Sequence, residues 1–298
     1  MGVNRLKKCA LCGAETELEL SHIIPKMAVR TLKKTSVGNI RNSENPNMVV
    51  QDSEKHYMLC GNCEDLFSED ETYFANLMFY PYLKGEKSKF DYDDRLFYFL
   101  TSVSWRSLYW DLLDFVENHV VGIDALECLI KSEKIMREFL LHKRTDIEYI
   151  ENHISFFDDI KEVVNDEALG IKNLKLHATF HRGIVSYTFC YESDGTYGTI
   201  TNMMGIVILT FYSFGENERW INTRIENGNG SIEAQNQEIR SVVGNEFAHM
   251  MRTAQKASDE MSEAQQNKVV ERLRKAGETI KDSQVYKDWE NDKRISEQ

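Results

Sequence analysis

Two Cys-x-x-Cys pairs, Cys9/Cys12 and Cys60/Cys63, bracket the stretch Ser21-His22-Ile23-Ile24-Pro25. Four thiolates in two knuckles match the ligand set of a tetrahedral Zn²⁺ site, because a two-residue gap turns both sulfurs of a knuckle toward one ion. A single pair would suit a redox dithiol equally well. Two pairs with no thioredoxin-like βαβ pattern between them favour the metal. Any fold of this chain must then bring Cys9, Cys12, Cys60 and Cys63 to one point. The segment between the knuckles is longer than the about 15–20 residues of a simple zinc ribbon, so further structure must be built on the clamp.

The first part of that segment, Glu17 to Ile24, alternates polar and apolar residues and predicts a strand ending at Pro25. Lys55 to Cys60 is a short apolar approach to the second knuckle. From Glu64 to Ala75, acidic residues in the first turns and apolar ones at helical spacing predict a helix. The expected order is knuckle, strand carrying a histidine, excursion, knuckle, helix.

Cys9-x-x-Cys12, Ser21-His22-Ile23-Ile24-Pro25 and Leu59-Cys60-x-x-Cys63-Glu64 together resemble the HNH endonucleases, the His-Me finger (ββα-metal) family, in a form stapled by a four-cysteine zinc. The resemblance covers about the first 80 residues. It implies that His22 is the general base, whose imidazole takes a proton from the attacking water. It further implies a catalytic Mg²⁺ or Mn²⁺ that stabilises charge on the phosphate and the leaving oxygen. The family's ligands for that ion commonly include an acid before the base histidine and a His or Asn on the following helix. This chain has Ser21 and Glu64 there. The family's middle Asn has no clean match: Asn47 lies too far upstream, His56 stands roughly in its place, and Asp52 is a spare carboxylate in the same loop. Each has a plainer reading. His22 can be a histidine packed beside the zinc, Glu64 a helix-dipole partner, and Asp52 and His56 solvated loop residues. The implied function is hydrolysis of nucleic-acid phosphodiesters, with DNA favoured by family analogy, of the kind used by bacterial defence or mobile-element effectors. The alternative is an inactive zinc-stapled module that binds nucleic acid or protein.

Charge bears on the partner. The chain has 298 residues and a net charge of -12, which argues against indiscriminate coating of nucleic acid. Yet Arg5, Lys7, Lys8, Lys26, Arg30, Lys33, Lys34 and Arg41 form a basic island around the candidate site. Of these, Lys26, Arg30, Lys33, Lys34 and Arg41 are the expected phosphate contacts, with a solvated loop face as the plain alternative. No secretory signal is read in the first residues, and no apolar run approaches the about 20 residues of a membrane span. Cysteine usage suits a reducing compartment, so the expectation is a cytoplasmic protein, with Cys128 and Cys190 as core thiols.

After Tyr82 the pattern changes, and two domains are expected: an HNH-like module over residues 1–82 and a helical and antiparallel-sheet domain over 83–298. Asp94 to His119 and Asp124 to His142 predict long apolar-rich helices packed on the finger. From about residue 173 to 226 the period drops to two. Strands are predicted at Leu174–Phe180 and Ile184–Tyr191 around an Arg182-Gly183 turn, then at Ile206–Tyr212 and Trp220–Ile225, with Gly195–Gly198 as a turn. His177 and His181 would share a strand face in a structural or surface role. From about Ile232 onward a polar helical tail is expected, a candidate for oligomerisation or partner binding. The predicted fold class is α+β. No Walker loop, dinucleotide fingerprint, serine elbow or internal repeat is present.

Overall fold

The computed structural model describes residues 7–157, 175–216 and 218–297. The fold is α+β. Its N-terminal unit starts with β1 (Lys7–Lys8) and β2 (Glu15–Thr16), joined through a knuckle in which Gly13 takes φ 78° and donates to the Cys9 carbonyl at 2.9 Å. The hairpin partners β3 (Glu19–His22) and β4 (Lys55–Leu59) run antiparallel, with His22 opposite Lys55 and Ser21 opposite His56. Between them lies α1 (Lys26–Thr35), a helix in the stretch expected only as an excursion. Pro25 precedes its first turn, and Ala28, Val29 and Leu32 give it a buried stripe. After the second knuckle, α2 (Gly61–Phe74) runs into a π-helical turn (Ala75–Phe79) and α3 (Tyr80–Leu83).

The strand β5 (Lys89–Tyr92) leads to the two long helices read from the sequence, α4 (Asp94–Asn118) and α5 (Ile123–Leu140). The Asp93 side chain caps α4 by accepting from the Arg95 N–H at 3.1 Å. Next come β6 (Glu151–Phe156), α6 (Leu176–His181), β7 (Ile184–Tyr191), β8 (Thr196–Met203) and β9 (Ile206–Ser213). Four short strands follow: β10 (Arg219–Ile221), β11 (Arg224–Ile225), β12 (Gly230–Glu233) and β13 (Glu238–Arg240). The described chain closes with α7 (Gly244–Asp259), α8 (Glu263–Ala276) and α9 (Gln284–Ser296).

The main sheet is five-stranded and antiparallel in the order β11-β6-β9-β8-β7. Helices cover both faces, which explains the apolar run Ile206–Tyr212, interrupted only by Thr210. Ile206, Ile208 and Tyr212 pack toward α4, α5 and the finger, while Val207, Leu209 and Phe211 pack with residues of α6, α7 and α9. The first of these clusters continues without a break from Cys9 in the finger to Ala234. Among the described residues no helix is long and apolar enough to cross a membrane.

Five expectations for the C-terminal region change. The predicted strand Leu174–Phe180 is the helix α6 over its described residues, Leu174 lying outside them. Over so short a run the i, i+4 spacing of Leu176 and Phe180 fits either period. What decides is α9, whose Asp292 accepts the N–H groups of His177 at 2.8 Å and Ala178 at 3.0 Å, capping a helix rather than leaving donors for a ladder. Arg182-Gly183 is therefore a helix-to-strand link. The hairpins instead turn at Gly195 and at Met204-Gly205, with φ of 81°, 57° and 93°. Of the expected Gly195–Gly198 turn, Thr196 to Gly198 belong to β8, where a Cβ on Gly198 would lie 2.6 Å from the Thr210 carbonyl oxygen. The Trp220–Ile225 strand breaks at Asn222 (φ 56°) into β10 and β11, which pair with β13 and β6. The tail begins with strands, Ile232 lying in β12, and becomes helical only from Gly244.

The tail also docks in an unexpected way. The helix α8 buries nothing, as its polarity suggests, but α9 buries Asp288, Asp292 and Ile295. Asp292 Oδ1 lies 3.0 Å from His177 Nδ1, and Asp288 Oδ1 lies 2.8 Å from His181 Nδ1. The four-residue spacing on each helix registers the two pairs. Asp292→Ala strips the cap from α6 and leaves buried donors unpaired, so it should lower the unfolding free energy by about 2–4 kcal/mol. Urea denaturation of the full chain measures this, and a change within error would contradict it.

Candidate functional site

The knuckles converge. Cys9, Cys12, Cys60 and Cys63 place their sulfurs within 4.8 Å of one another. Cys12 Sγ and Cys60 Sγ are 3.8 Å apart, the edge length of a tetrahedron with metal–sulfur bonds of about 2.3 Å. The Cys60 N–H donates to Cys9 Sγ at 3.4 Å. Burial opposes ionisation at Cys9, but backbone N–H groups of the knuckles hold that thiol down at about 7. At Cys63, burial and the neighbouring thiols push the other way, well above the ordinary thiol range. Four such sulfurs can hold a metal ion, and a cation resolves their mutual repulsion. The donor set is compatible with structural zinc.

This clamp fixes the start of α2 against the β3–β4 hairpin, and His22 ends β3. The His22 ring is mostly covered, with 14 % of its side chain exposed, and Nε2 lies 3.2 Å from Asp52 Oδ1. Asp52 Oδ2 accepts from Lys55 Nζ at 2.9 Å. Burial raises the Asp52 pKa, but the Lys55 ammonium and the His22 ring outweigh it and hold the carboxyl at about 2. An ionised Asp52 can only accept, so His22 donates to it from Nε2 and turns Nδ1 away from that carboxylate. Among the described residues nothing hydrogen-bonds to Nδ1.

A residue that sequence reading missed completes the support. Arg106, in the middle of α4, is 2 % exposed. Its Nη1 donates to the His22 carbonyl at 3.0 Å and pairs with Glu71 Oε1 at 2.9 Å, while its guanidinium stacks over Phe67 at 5.5 Å. It therefore ties β3, α2 and α4 together at the candidate base. The available signal was a lone arginine inside an apolar helix, since a buried cation must find partners.

The other expected residues divide. Glu64 sits in the first turn of α2, on the same stripe as Glu71, and its Oε1 is buried without a hydrogen-bond partner among the described residues. Such an orphan carboxylate oxygen calls for a cation or a water. Ser21 is fully buried, and its hydroxyl accepts from the Leu59 N–H at 3.2 Å, so it belongs to the frame. His56 pairs across with Ser21 and so lies on the opposite hairpin face from His22, stacked on Trp110 at 3.3 Å with Nε2 2.8 Å from Glu54 Oε1. Asn47 is used by the tail, donating to the Glu260 carbonyl at 3.2 Å and accepting from the Ser262 N–H at 2.9 Å. Asp52, expected as a spare metal ligand, is engaged at both oxygens by His22 and Lys55.

Of the basic island, Lys26, Arg30, Lys33 and Lys34 lie exposed on one side of α1, Lys33 also donating to the Gln51 carbonyl at 2.7 Å. Arg41 turns to the tail, donating to Gln265 Oε1 at 3.1 Å and to the Pro46 carbonyl at 2.9 Å. Arg5 lies outside the described residues. The arrangement can hold a metal ion on sulfur, orient an imidazole as a proton acceptor, and offer cations to a phosphate. No protein-family model, curated protein or solved structure matches the chain.

Asp52→Asn weakens the hold on His22 and should cost about 1 kcal/mol at neutral pH. The folded-state pKa of Asp52 lies below the ordinary carboxylate value of about 4. Its stabilisation is therefore complete above that pH and lost as pH falls toward about 2. Urea titrations of wild type and variant should converge over that window. A gap that does not change with pH would contradict the Asp52–His22–Lys55 arrangement.

Proposed function

We propose that the chain is a metal-dependent endonuclease of the HNH type that hydrolyses nucleic-acid phosphodiesters, with DNA as the substrate implied by the resemblance. The observation that carries the reading is His22 itself, gripped at its ring by an ionised carboxylate and at its carbonyl by a buried arginine. A histidine that merely filled space beside the cysteines would not need this support. In the proposed reaction, Nδ1 accepts the proton of the attacking water, and Asp52 stabilises the imidazolium that forms. Lys26, directly after the Ile23-Ile24-Pro25 link at the start of α1, is exposed and offers a phosphate contact.

The four cysteines are assigned to structural zinc that fixes hairpin and helix together. The second ion, Mg²⁺ or Mn²⁺, would be held by Glu64, with the phosphate and waters filling the rest of its shell, as hard divalent ions at phosphate sites commonly are. When bound, it would supply charge neutralisation at the scissile phosphate. Ser21, committed to the Leu59 amide, supports a second reading, in which the module binds nucleic acid or protein without cutting it.

Purified protein should carry one equivalent of zinc by elemental analysis, and stripping it should lower Tm. Absence of zinc, or no loss of stability on its removal, would count against a structural site. With plasmid and Mg²⁺ or Mn²⁺, the wild type should nick DNA. His22→Ala should reduce the rate by about 10²–10⁴-fold, the range for loss of a general base. Equal nicking by both proteins would eliminate His22 as the base. Salt-sensitive binding without cleavage would favour the second reading.

A further inference from the structure

Away from His22, a cleft of about 940 Å³ opens where the finger, the sheet layer and the tail meet. Its walls come from the C-terminal half of α1, the π-helical turn with α3, the end of α6, and α9. None of His22, Asp52 or Glu64 lines it. Among the described residues five cations do, Arg30, Lys34, Lys84, Arg182 and Lys287, against one acid, Glu86. The formal balance is five minus one, or +4, on a chain whose net charge is -12. Lys84 shares its charge with Glu86 at 3.6 Å. Arg30, Lys34 and Lys287 are exposed and have no carboxylate partner within 4.0 Å among the described residues.

Like charges gathered from four separate elements cost self-repulsion unless an anion relieves it. Arg182 deepens the point. It is held at the floor by neutral oxygens, donating to Thr35 Oγ1 at 2.9 Å and Ser36 Oγ at 2.7 Å. Tyr80 and Pro81 of α3, with Met204, supply an apolar wall. The π-helical turn precedes that wall, the Tyr80 N–H reaching back to the Ala75 carbonyl. Such turns are rare and occur frequently at functional sites. The amides of Asn76 and Asn291 also line the cleft. The size, the cationic rim and the aromatic wall match one ligand chemistry, phosphates joined to a planar base.

We propose that this cleft is a nucleotide-binding site, separate from the candidate hydrolytic centre, in which Arg30, Lys34 and Lys287 take the phosphates and Tyr80 takes the base. Two of its cations, Arg30 and Lys34, are thereby assigned to a small ligand rather than to a nucleic-acid track along α1. The inference does not rest on the nuclease reading, because no residue of that reaction contributes to the cleft. Since α9 and α1 both line it, the bound nucleotide would contact tail and finger together.

The same chemistry occurs in a free nucleotide and in a strand of nucleic acid, so the test has both arms. Isothermal titration of the full chain is run with ATP, GTP, CTP and UTP, with inorganic tripolyphosphate, with adenosine, and with a single-stranded oligonucleotide. At least one nucleoside triphosphate should bind with unit stoichiometry, more tightly than tripolyphosphate, while adenosine gives no signal. The Lys34→Glu/Lys287→Glu variant should weaken that binding by at least about tenfold. Lys287→Arg should retain it, and Lys143→Glu, outside the cleft, should leave it unchanged. Both lysines are exposed, and a thermal melt matching wild type would show that the variant folds. If it did not, Tyr80→Ala should weaken the triphosphate relative to tripolyphosphate. No binding by any triphosphate, equal affinity in wild type and both site variants, or binding of the oligonucleotide alone would overturn the proposal.

Discussion

The structure depends on a contact between four sulfurs that are distant in sequence. Drawing Cys9 and Cys12 against Cys60 and Cys63 closes a long loop, and the chain between the knuckles must fit inside that closure. It does so by folding back as β3 and β4 and by inserting α1 between them. The second knuckle also starts α2, so hairpin and helix share one anchor. His22 and Glu64 are therefore set by the same constraint, one at the end of β3 and the other directly after Cys63.

Around that anchor the molecule is tied by buried charges as much as by apolar packing. Arg106 reaches from the long helix α4 to a strand carbonyl and a helix carboxylate, so the finger is fixed to the body at the candidate base. On the far side of the sheet, Asp288 and Asp292 hold α9 through His181 and His177. Asn47 and Arg41 fasten the loop before Asp52 to the α7–α8 region. Breaking one partner of the Arg106, Asp288 or Asp292 pairs leaves the other buried and unpaired, which costs more than the pair contributes. The tail is thus connected to the loop that carries Asp52, as well as to the cleft at the end of α1.

Much of the N-terminal unit was legible because its constraint is local and chemical. The Cys-x-x-Cys spacing named four residues that the fold gathers, and the apolar periodicity of α4 and α5 gave their extents to within a few residues. The helix α1 was missed because basic residues outnumber its buried stripe of Ala28, Val29 and Leu32. The helix α6 was mistaken for a strand because its identity is set by carboxylates more than 100 positions later in the chain. Arg106 and Asp52 were not recognised as supports of His22 for the same reason: a hydrogen bond between residues 30 or 84 positions apart leaves no periodic trace. Asn47 and His56 were placed by loop spacing alone; hydrogen bonds to the tail engage the first, and the hairpin register puts the second on the opposite face.

The central claim is that this frame presents an imidazole and a carboxylate to one phosphodiester. Anomalous diffraction from crystals soaked in Mn²⁺ with a phosphodiester analogue tests it most directly. The account predicts a manganese peak at about 2.2 Å from a Glu64 carboxylate oxygen, with the analogue's phosphate bridging to the His22 side of the site. Manganese and phosphate bound elsewhere, with Glu64 left without a metal, would contradict it.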